Sequence, residues 1–373
     1  MHVNAAVLTE HNGPLRQREL WLDGPGPQEV LVKIAATSVC ASDTHTRSGR
    51  IPSPLPVVLG HEGAGVVAAT GRDVTGLAPG DHVALSWMPN CGRCRYCSAG
   101  RPVLCSASAP ALLNGTLLDG TVRMRDGEQP VHHYSFLSTF ADHAVVPASS
   151  AIRIRHDVPL AVAALVGCGV LTGYGAVVNR AKVEPGSSVL IYGAGGVGLS
   201  AVFAAHNSGA LRIIVVDPRQ DKRDGAAAFG ATHVLDPEHE DVATAVRAMT
   251  DGAGADVTID AVGREGLLAE AFDATAPGGT IVCVGVPGPE ASAAVPGARF
   301  VREEKYITGS LYGSSRPAQD IPRLLDLFAA GRLPVDKLIS RTYSLAGINE
   351  AFTDTVEGHL RRGVVVVDEA LAW

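Results

Sequence analysis

Between about residue 185 and residue 313 short apolar runs recur at near-regular intervals: SSVLIYG (187–193), RIIVVD (212–217), THVLD (232–236), ADVTIDAVG (255–263), GGTIVCVGV (278–286) and YITGSLYG (306–313). They are rich in Val and Ile. The stretches that separate them, GGVGLSAVFAAHNSG, PRQDKRDGAAAFGA, DVATAVRAMTDG and EGLLAEAFDATA, have helical character. Apolar strands alternating with helical segments of about 10–15 residues predict a parallel sheet covered by helices, because strands buried on both faces need no polar alternation.

Before residue 160 the texture changes to short alternating strands with many Gly and Pro and turn pairs such as NG and PG, which predicts an all-β lobe. After residue 313 come a helix-like DIPRLLDLFAAG and a strand-like RRGVVVVDEA, with no low-complexity linker and no internal repeat. The expected layout is a β-rich domain over 1–169, a parallel-sheet domain over 170–311, and a segment over 312–373 that returns to the first domain. At 373 residues the chain is long for a single core, which agrees with two domains.

Charge narrows the partners. The formal net charge is −7, with the acids spread along the chain and no basic run, so neither nucleic acid nor anionic membrane is an expected partner. Met1 to Glu10 lacks the cationic start and apolar stretch of a signal peptide, and no run of about 18 apolar residues is evident, so a cytoplasmic location is expected. In a reducing compartment clustered cysteines more often hold a metal than form disulfides.

The chain has seven cysteines, and four of them, Cys91, Cys94, Cys97 and Cys105, fall in CGRCRYCSAGRPVLC. Two-residue gaps let neighbouring thiolates converge on one ion, and a fourth from the next loop closes a tetrahedron. A four-thiolate shell leaves no open position, so the knuckle at about 91–105 is a structural zinc site. An iron–sulfur cluster shares such gaps, but no second cysteine group or Cys-Pro ending follows. Cys283, inside the apolar TIVCVGV, reads as a core thiol.

YGAGGVG carries Gly193, Gly195 and Gly198 as G-x-G-x-x-G, after a predicted strand and at the start of a predicted helix. There the glycines let backbone N–H groups and a helix N-terminus approach a pyrophosphate. Asp217 ends the next run, where a carboxylate accepts hydrogen bonds from a ribose and repels a 2′-phosphate; NAD is therefore expected over NADP, with Lys222 helping to hold the ribose. Arg219 and Arg223 keep NADP open. Gly196 and Val197 of the same turn, and Val284 and Val286 after the fifth run, are counted with them as coenzyme contacts.

Cys40 in TSVCASDTH and Cys168 in LVGCGVLTG both stand beside turn residues, and LGHEGAGVV offers His61 and Glu62. Two thiolates, one imidazole and an open position make one of the catalytic zinc arrangements. With these motifs in hand, the chain resembles the zinc-dependent medium-chain alcohol dehydrogenases nearly end to end, through CASDTH, GHEGAGVV, the four-cysteine knuckle, GCGVLTGYGA, GAGGVG and the Asp217 strand. The resemblance implies an α/β protein: a GroES-like, β-rich catalytic domain plus a Rossmann coenzyme domain with a doubly wound parallel sheet. It matches Cys40, His61 and Cys168 to the catalytic zinc ligands, Glu62 to a carboxylate behind the metal, and Asp43 to the partner that orients the ligand histidine.

Further expectations follow from the resemblance. Two Zn²⁺ per subunit and NAD(H) are the implied cofactors. Ser42 matches a hydroxyl beside the zinc, and His45 the terminal base of a proton relay through the coenzyme ribose. Trp87 falls at an aromatic wall of the substrate pocket and Phe140 at another, which suggests a primary alcohol or aldehyde, aryl or medium-chain. His132 and His133 are read as loop residues. Ala41 stands where several relatives carry a pyrophosphate-binding Arg or His, which leaves Arg362 as that contact, and Ala109 replaces the anion-binding Arg of glutathione-dependent formaldehyde dehydrogenases. The segment 106–140 matches a long loop of dimeric members, so a homodimer is implied. Texture in ALLNGTLLDGT and STFADHAVVP is similar to nitrosoaniline-dependent members that retain NAD through turnover. Outside that reading stand a non-catalytic zinc- and dinucleotide-binding protein and a zinc-free quinone or enoyl reductase; the intact Cys40, His61, Cys168, Ser42 and His45 set argues against both.

Overall fold

The computed structural model describes residues 1–288 and 290–373. It divides into two compact units, one made of Met1–Gly169, Arg316–Gly331 and Val335–Trp373, the other of Val170–Ser315 with Arg332–Pro334.

The second unit holds a six-stranded, all-parallel sheet. In spatial order its strands are His233–Leu235, Arg212–Val216, Ser188–Tyr192, Ala255–Asp260, Thr275–Cys283 and Tyr306–Gly309. Every apolar run in that part of the chain has become a strand, and chain order maps to spatial order 3-2-1-4-5-6, the doubly wound arrangement. All five residues of the central strand Ser188–Tyr192 are buried, as its unbroken apolar pattern requires. Helix Gly196–Asn207 follows it directly, with its start in the glycine turn.

In the first unit, His2–Leu8, Arg16–Leu22, Met124–Asp126, Gln129–His133 and Val57–Val58 form a small closed barrel. A second sheet is organised around the eleven-residue strand Glu29–Val39, which pairs with Gly63–Thr70 and His143–Pro147. The terminal strand Arg362–Val366 lies antiparallel to Glu29–Val39, with Val364 opposite Ser38 and Gly363 opposite Val39. The α/β class expected from patterning is thus the one observed.

Two local expectations are corrected. The segment 106–140 is not a plain loop: it contributes a short helix, Ala109–Asn114, and two barrel strands, and His132 and His133 sit on one of those strands. Contrary to expectation, one helical stretch, Leu160–Ala181, is apolar and long enough by composition to cross a bilayer; 78% of its apolar window is buried in the protein, as in a core helix.

Candidate active site

The long strand Glu29–Val39 delivers Cys40 at its end. Cys40 is extended (φ −111°, ψ 157°) and caps helix Ala41–Arg47. Asp43, three residues on, closes a capping box: its Oδ2 accepts from the Cys40 backbone N–H at 2.9 Å. Its Oδ1 lies 3.1 Å from Nδ1 of His61 and accepts from the Gly60 N–H at 3.2 Å. One buried carboxylate therefore ties together the two segments that carry Cys40 and His61. With Nδ1 engaged, Nε2 of His61 is the nitrogen left for a metal.

Gly60 permits this approach. Its φ is +91°, and a Cβ there would meet Oγ1 of Thr139 at 2.5 Å and the ring of Phe140 at 2.7 Å. Cys168 comes from Val166–Val170, a π-helical turn inside the long buried helix, the kind of widened turn that often marks a functional position. Ligand atoms of Cys40, His61, Glu62 and Cys168 all lie within 4.8 Å of one another.

Sulfur chemistry at this cluster asks for a cation. The Cys168 thiol donates to Cys40, and this hydrogen bond above all holds Cys40 well below the usual thiol range while pushing Cys168 well above it. Two sulfurs this close are satisfied more fully by a divalent ion than by one shared proton. The donor set fits zinc. Glu62 is fully buried; its Oε1 accepts from the Gly169 N–H at 3.2 Å and its other oxygen is ion-paired with the Arg362 guanidinium. Burial pushes the Glu62 carboxyl up to about 7, against the pull of Arg362. In this structure Arg362, expected at the coenzyme pyrophosphate, serves as the counter-ion of Glu62; sequence spacing across 300 residues gave no sign of the pair.

The four-cysteine knuckle is also assembled. Sγ of Cys94 lies 3.5 Å from that of Cys97 and 4.0 Å from that of Cys105. A zinc tetrahedron with bonds of about 2.3 Å has edges of about 3.8 Å, between those two values. Backbone N–H groups of Cys91 and Cys94 each point at a sulfur at 3.4 Å, which favours thiolates. All four sulfurs lie within 4.8 Å, so the knuckle is built to hold a structural zinc.

At the glycine turn Gly193 has φ +93°, and a Cβ on Gly198 would sit 1.7 Å from the Gly193 carbonyl, so both positions demand glycine. Nothing lies within 4 Å of a Cβ built on Gly195, the place where a phosphate would approach. Asp217 accepts from the Ala194 N–H at 2.9 Å and the Arg219 N–H at 3.0 Å, which fixes its carboxylate beside the turn. Arg223 donates to the Asp217 and Pro218 carbonyls and pairs with Asp236, while Arg219 pairs with Asp221. Gly196 and Val197 open the helix and Lys222 stands half-buried in helix Gln220–Ala226. Val284 is half-buried and Val286 75% exposed.

Ser42 and His45 are both half-buried on helix Ala41–Arg47. Nη1 of Arg50 lies 3.2 Å from Nε2 of His45, and burial, aided by that charge, lowers the His45 pKa. Trp87 stands edge-on to His61, with ring centroids 6.5 Å apart. Phe140 corrects an expectation: it is fully enclosed, edge-on to Phe352 at 5.9 Å, and packs the core of its unit instead of lining a pocket.

Comparison with known proteins agrees with this geometry. Residues 26–156 match the alcohol dehydrogenase GroES-like domain and residues 196–330 the zinc-binding dehydrogenase domain. The chain is 39% identical over 369 residues to the NDMA-dependent alcohol dehydrogenase of Amycolatopsis methanolica, covering 98% of this chain and 99% of that one. Alcohol dehydrogenase B of Mycobacterium tuberculosis is 38% identical, with 98% of each chain covered. The crystal structure of benzyl alcohol dehydrogenase from Acinetobacter calcoaceticus superposes with a TM-score of 0.94 at 34% identity, covering 98% of this chain and 99% of that one. Two converged cysteine-based zinc sites, a dinucleotide turn and end-to-end similarity leave one conclusion: the chain belongs to the zinc-binding medium-chain alcohol dehydrogenase family.

Proposed function

We propose that this zinc alcohol dehydrogenase interconverts primary alcohols, aryl or medium-chain, with their aldehydes, using NAD. The observation that carries the reading is the convergence of Cys40, His61 and Cys168 beside a helix that also bears Ser42 and His45. Zinc, when bound by those three side chains, acts as a Lewis acid on the substrate oxygen, and NAD accepts the hydride. The chain's own residues supply the rest. Asp43 holds the His61 ring, Ser42 takes up the substrate proton as it gives up its own, and His45, as the terminal base of that relay, releases a proton to solvent. Asp217 favours a free ribose 2′-hydroxyl, and the arginines that would welcome a 2′-phosphate are already paired with acids. Trp87 gives the substrate an aromatic wall.

His45 supports the relay through its charge state. Its lowered pKa keeps it neutral, and able to accept a proton, through neutral pH. Turnover should therefore hold as pH falls to about 6.5, the ordinary histidine value, and decline below it. His45→Gln should slow turnover near neutral pH by up to roughly 100-fold, with recovery in small basic buffers. An unchanged pH profile in that variant argues against His45 as the base.

A second reading, in which NAD stays bound and electrons pass to another acceptor, is favoured by the similarity to the NDMA-dependent enzyme. One panel tests both: primary and secondary alcohols and aldehydes assayed with NAD, with NADP and with an artificial acceptor, alongside the NAD(H) content of the purified protein. Turnover with free NAD and empty purified protein supports the first reading; stoichiometric bound NAD with turnover only on the artificial acceptor supports the second. Silence with every acceptor sinks both.

A homodimer is part of the proposal. Tyr306–Gly309 is an edge strand of the parallel sheet, and Tyr306 is 64% and the nearby Val301 74% exposed, an apolar edge of the kind that a second copy covers. Light scattering should give twice the mass of one chain, and Tyr306→Lys should shift the population to monomers. A monomeric wild-type protein at micromolar concentration overturns this part.

A further inference from the structure

The turn from Tyr134 to Phe140 contains three non-glycine residues in the left-handed region: Ser135 (φ +50°), Phe136 (φ +63°) and Ser138 (φ +51°). For a bulky residue such as Phe136 this is unfavourable, and such strain persists only where the surroundings over-determine it. Here they do. The Tyr134 N–H donates to Oγ of Ser138 at 3.0 Å, the Leu137 N–H to the Tyr134 carbonyl at 3.0 Å, and the Thr139 N–H to the Gly60 carbonyl at 3.0 Å. Oγ1 of Thr139 lies 2.6 Å from Oγ1 of Thr37. The turn is thereby clamped to the residue that precedes the ligand His61.

From this rigid base Tyr134, 8% exposed, reaches the other ligand segment. Its hydroxyl accepts from Oγ1 of Thr46 at 2.9 Å and donates to the Ser42 carbonyl at 3.3 Å, and that carbonyl stands 3.0 Å from Oγ1 of Thr46, the alternative acceptor for the Thr46 proton. Three oxygens with two hydroxyl protons form a closed triangle across helix Ala41–Arg47. The Tyr134 ring meets the His61 ring edge-on, centroids 5.6 Å apart at 75°. Trp87 approaches the same imidazole edge-on at 6.5 Å, so the ligand ring has aromatic neighbours on two sides.

We infer that Tyr134 is a positioning residue of the metal site: its ring sets the plane of His61 while its hydroxyl sets the height of the helix that carries Ser42 and Asp43. The inference deepens the proposed function and rests on the same zinc centre. Asp43 fixes Nδ1 of His61 but leaves the ring free to pivot about that bond, and the Tyr134 ring removes the pivot. Neither contact touches substrate or metal, so Tyr134 acts through His61 and Ser42.

The test uses full-length protein with cobalt in the His61 site, whose visible absorption reports ligand geometry without any turnover. Tyr134→Phe keeps the ring volume, and Thr46 still satisfies the Ser42 carbonyl, so the variant should fold. The expected result is an altered cobalt spectrum and a roughly tenfold faster loss of that metal to a chelator, the scale seen when groups that orient metal ligands are removed. Thr46→Val, which deletes the other hydroxyl of the triangle, carries the same expectation and decides the matter should Tyr134→Phe not fold. Tyr134→Leu removes the ring as well and should disturb both readouts further. A wild-type cobalt spectrum and chelation rate in folded Tyr134→Phe overturn the role of the hydroxyl, and in folded Tyr134→Leu the role of the ring. Because both readouts are independent of alcohol turnover, an inactive wild type would count against the proposed function and not against Tyr134.

Discussion

Replacing Cys168 by alanine is expected to lower alcohol-dependent NAD reduction by at least about 10³-fold while leaving a folded protein with one zinc per subunit instead of two. The magnitude follows from what a Lewis acid contributes to an alcohol oxidation, several kcal/mol at about 1.4 kcal/mol per factor of ten. The fold should survive because Cys168 sits in a π-helical turn whose neighbours are packed by other means: Leu165, Val166 and Val170 are all at least 98% buried. Only one sulfur changes, and Cys40 and His61 cannot hold the ion alone with catalytic geometry. The knuckle supplies an internal control. Cys97→Ala should also leave one zinc, but it removes the ion held by Cys91, Cys94 and Cys105 and acts first on stability. Metal analysis and absorbance at 340 nm read both variants. Two zincs with undiminished turnover in Cys168→Ala would falsify the assignment of the catalytic site.

Much of this site was legible in the sequence because its signals are local. C-x2-C-x2-C-x7-C closes a tetrahedron within fifteen residues, and G-x-G-x-x-G needs only the strand before it and the helix after it. The six apolar runs became six strands because a strand buried on both faces has little choice of residue. What escaped notice is non-local or hidden by composition. The long helix Leu160–Ala181 was missed as an apolar span because Gly167, Gly169, Gly173 and Gly175 interrupt its texture; at Gly167 a Cβ would meet the Leu85 carbonyl at 2.5 Å, so the glycine is there for close packing. His132 and His133 resemble loop residues in a polar neighbourhood, yet they lie on a barrel strand, where burial pushes the His133 pKa down to about 3. Phe140 was assigned to a pocket by resemblance alone, and no periodicity could have told that its ring turns toward Phe352. The pairing of Glu62 with Arg362 joins residues 300 apart in the chain and was beyond any pattern.

That pair gives the second large effect. Arg362→Leu should destabilise the catalytic unit by about 3–5 kcal/mol, the usual result of stranding one member of a buried ion pair. Glu62 is fully buried and Arg362 is 8% exposed, so water cannot take over the role of the lost guanidinium. Charge balance makes the case sharper. Two thiolates neutralise a divalent zinc, and Arg362 balances Glu62. Without the arginine, a carboxyl that burial already pushes up to about 7 must either stay charged with no partner or take up a proton and leave its lone pairs unmatched, and either state costs stability. Replacing both residues, as in Glu62→Gln with Arg362→Leu, removes the stranded charge and should recover most of the loss, so the two changes will be strongly non-additive. Fluorescence reads the right unit: the three tryptophans, Trp21, Trp87 and Trp373, all belong to the segments of the first unit. The measurement is the urea midpoint of that signal for the two single variants and the double. If Arg362→Leu unfolds at the wild-type midpoint, or if the double variant is as unstable as the sum of the singles, the pair is not the charge balance of this site, and Arg362 must be assigned another role.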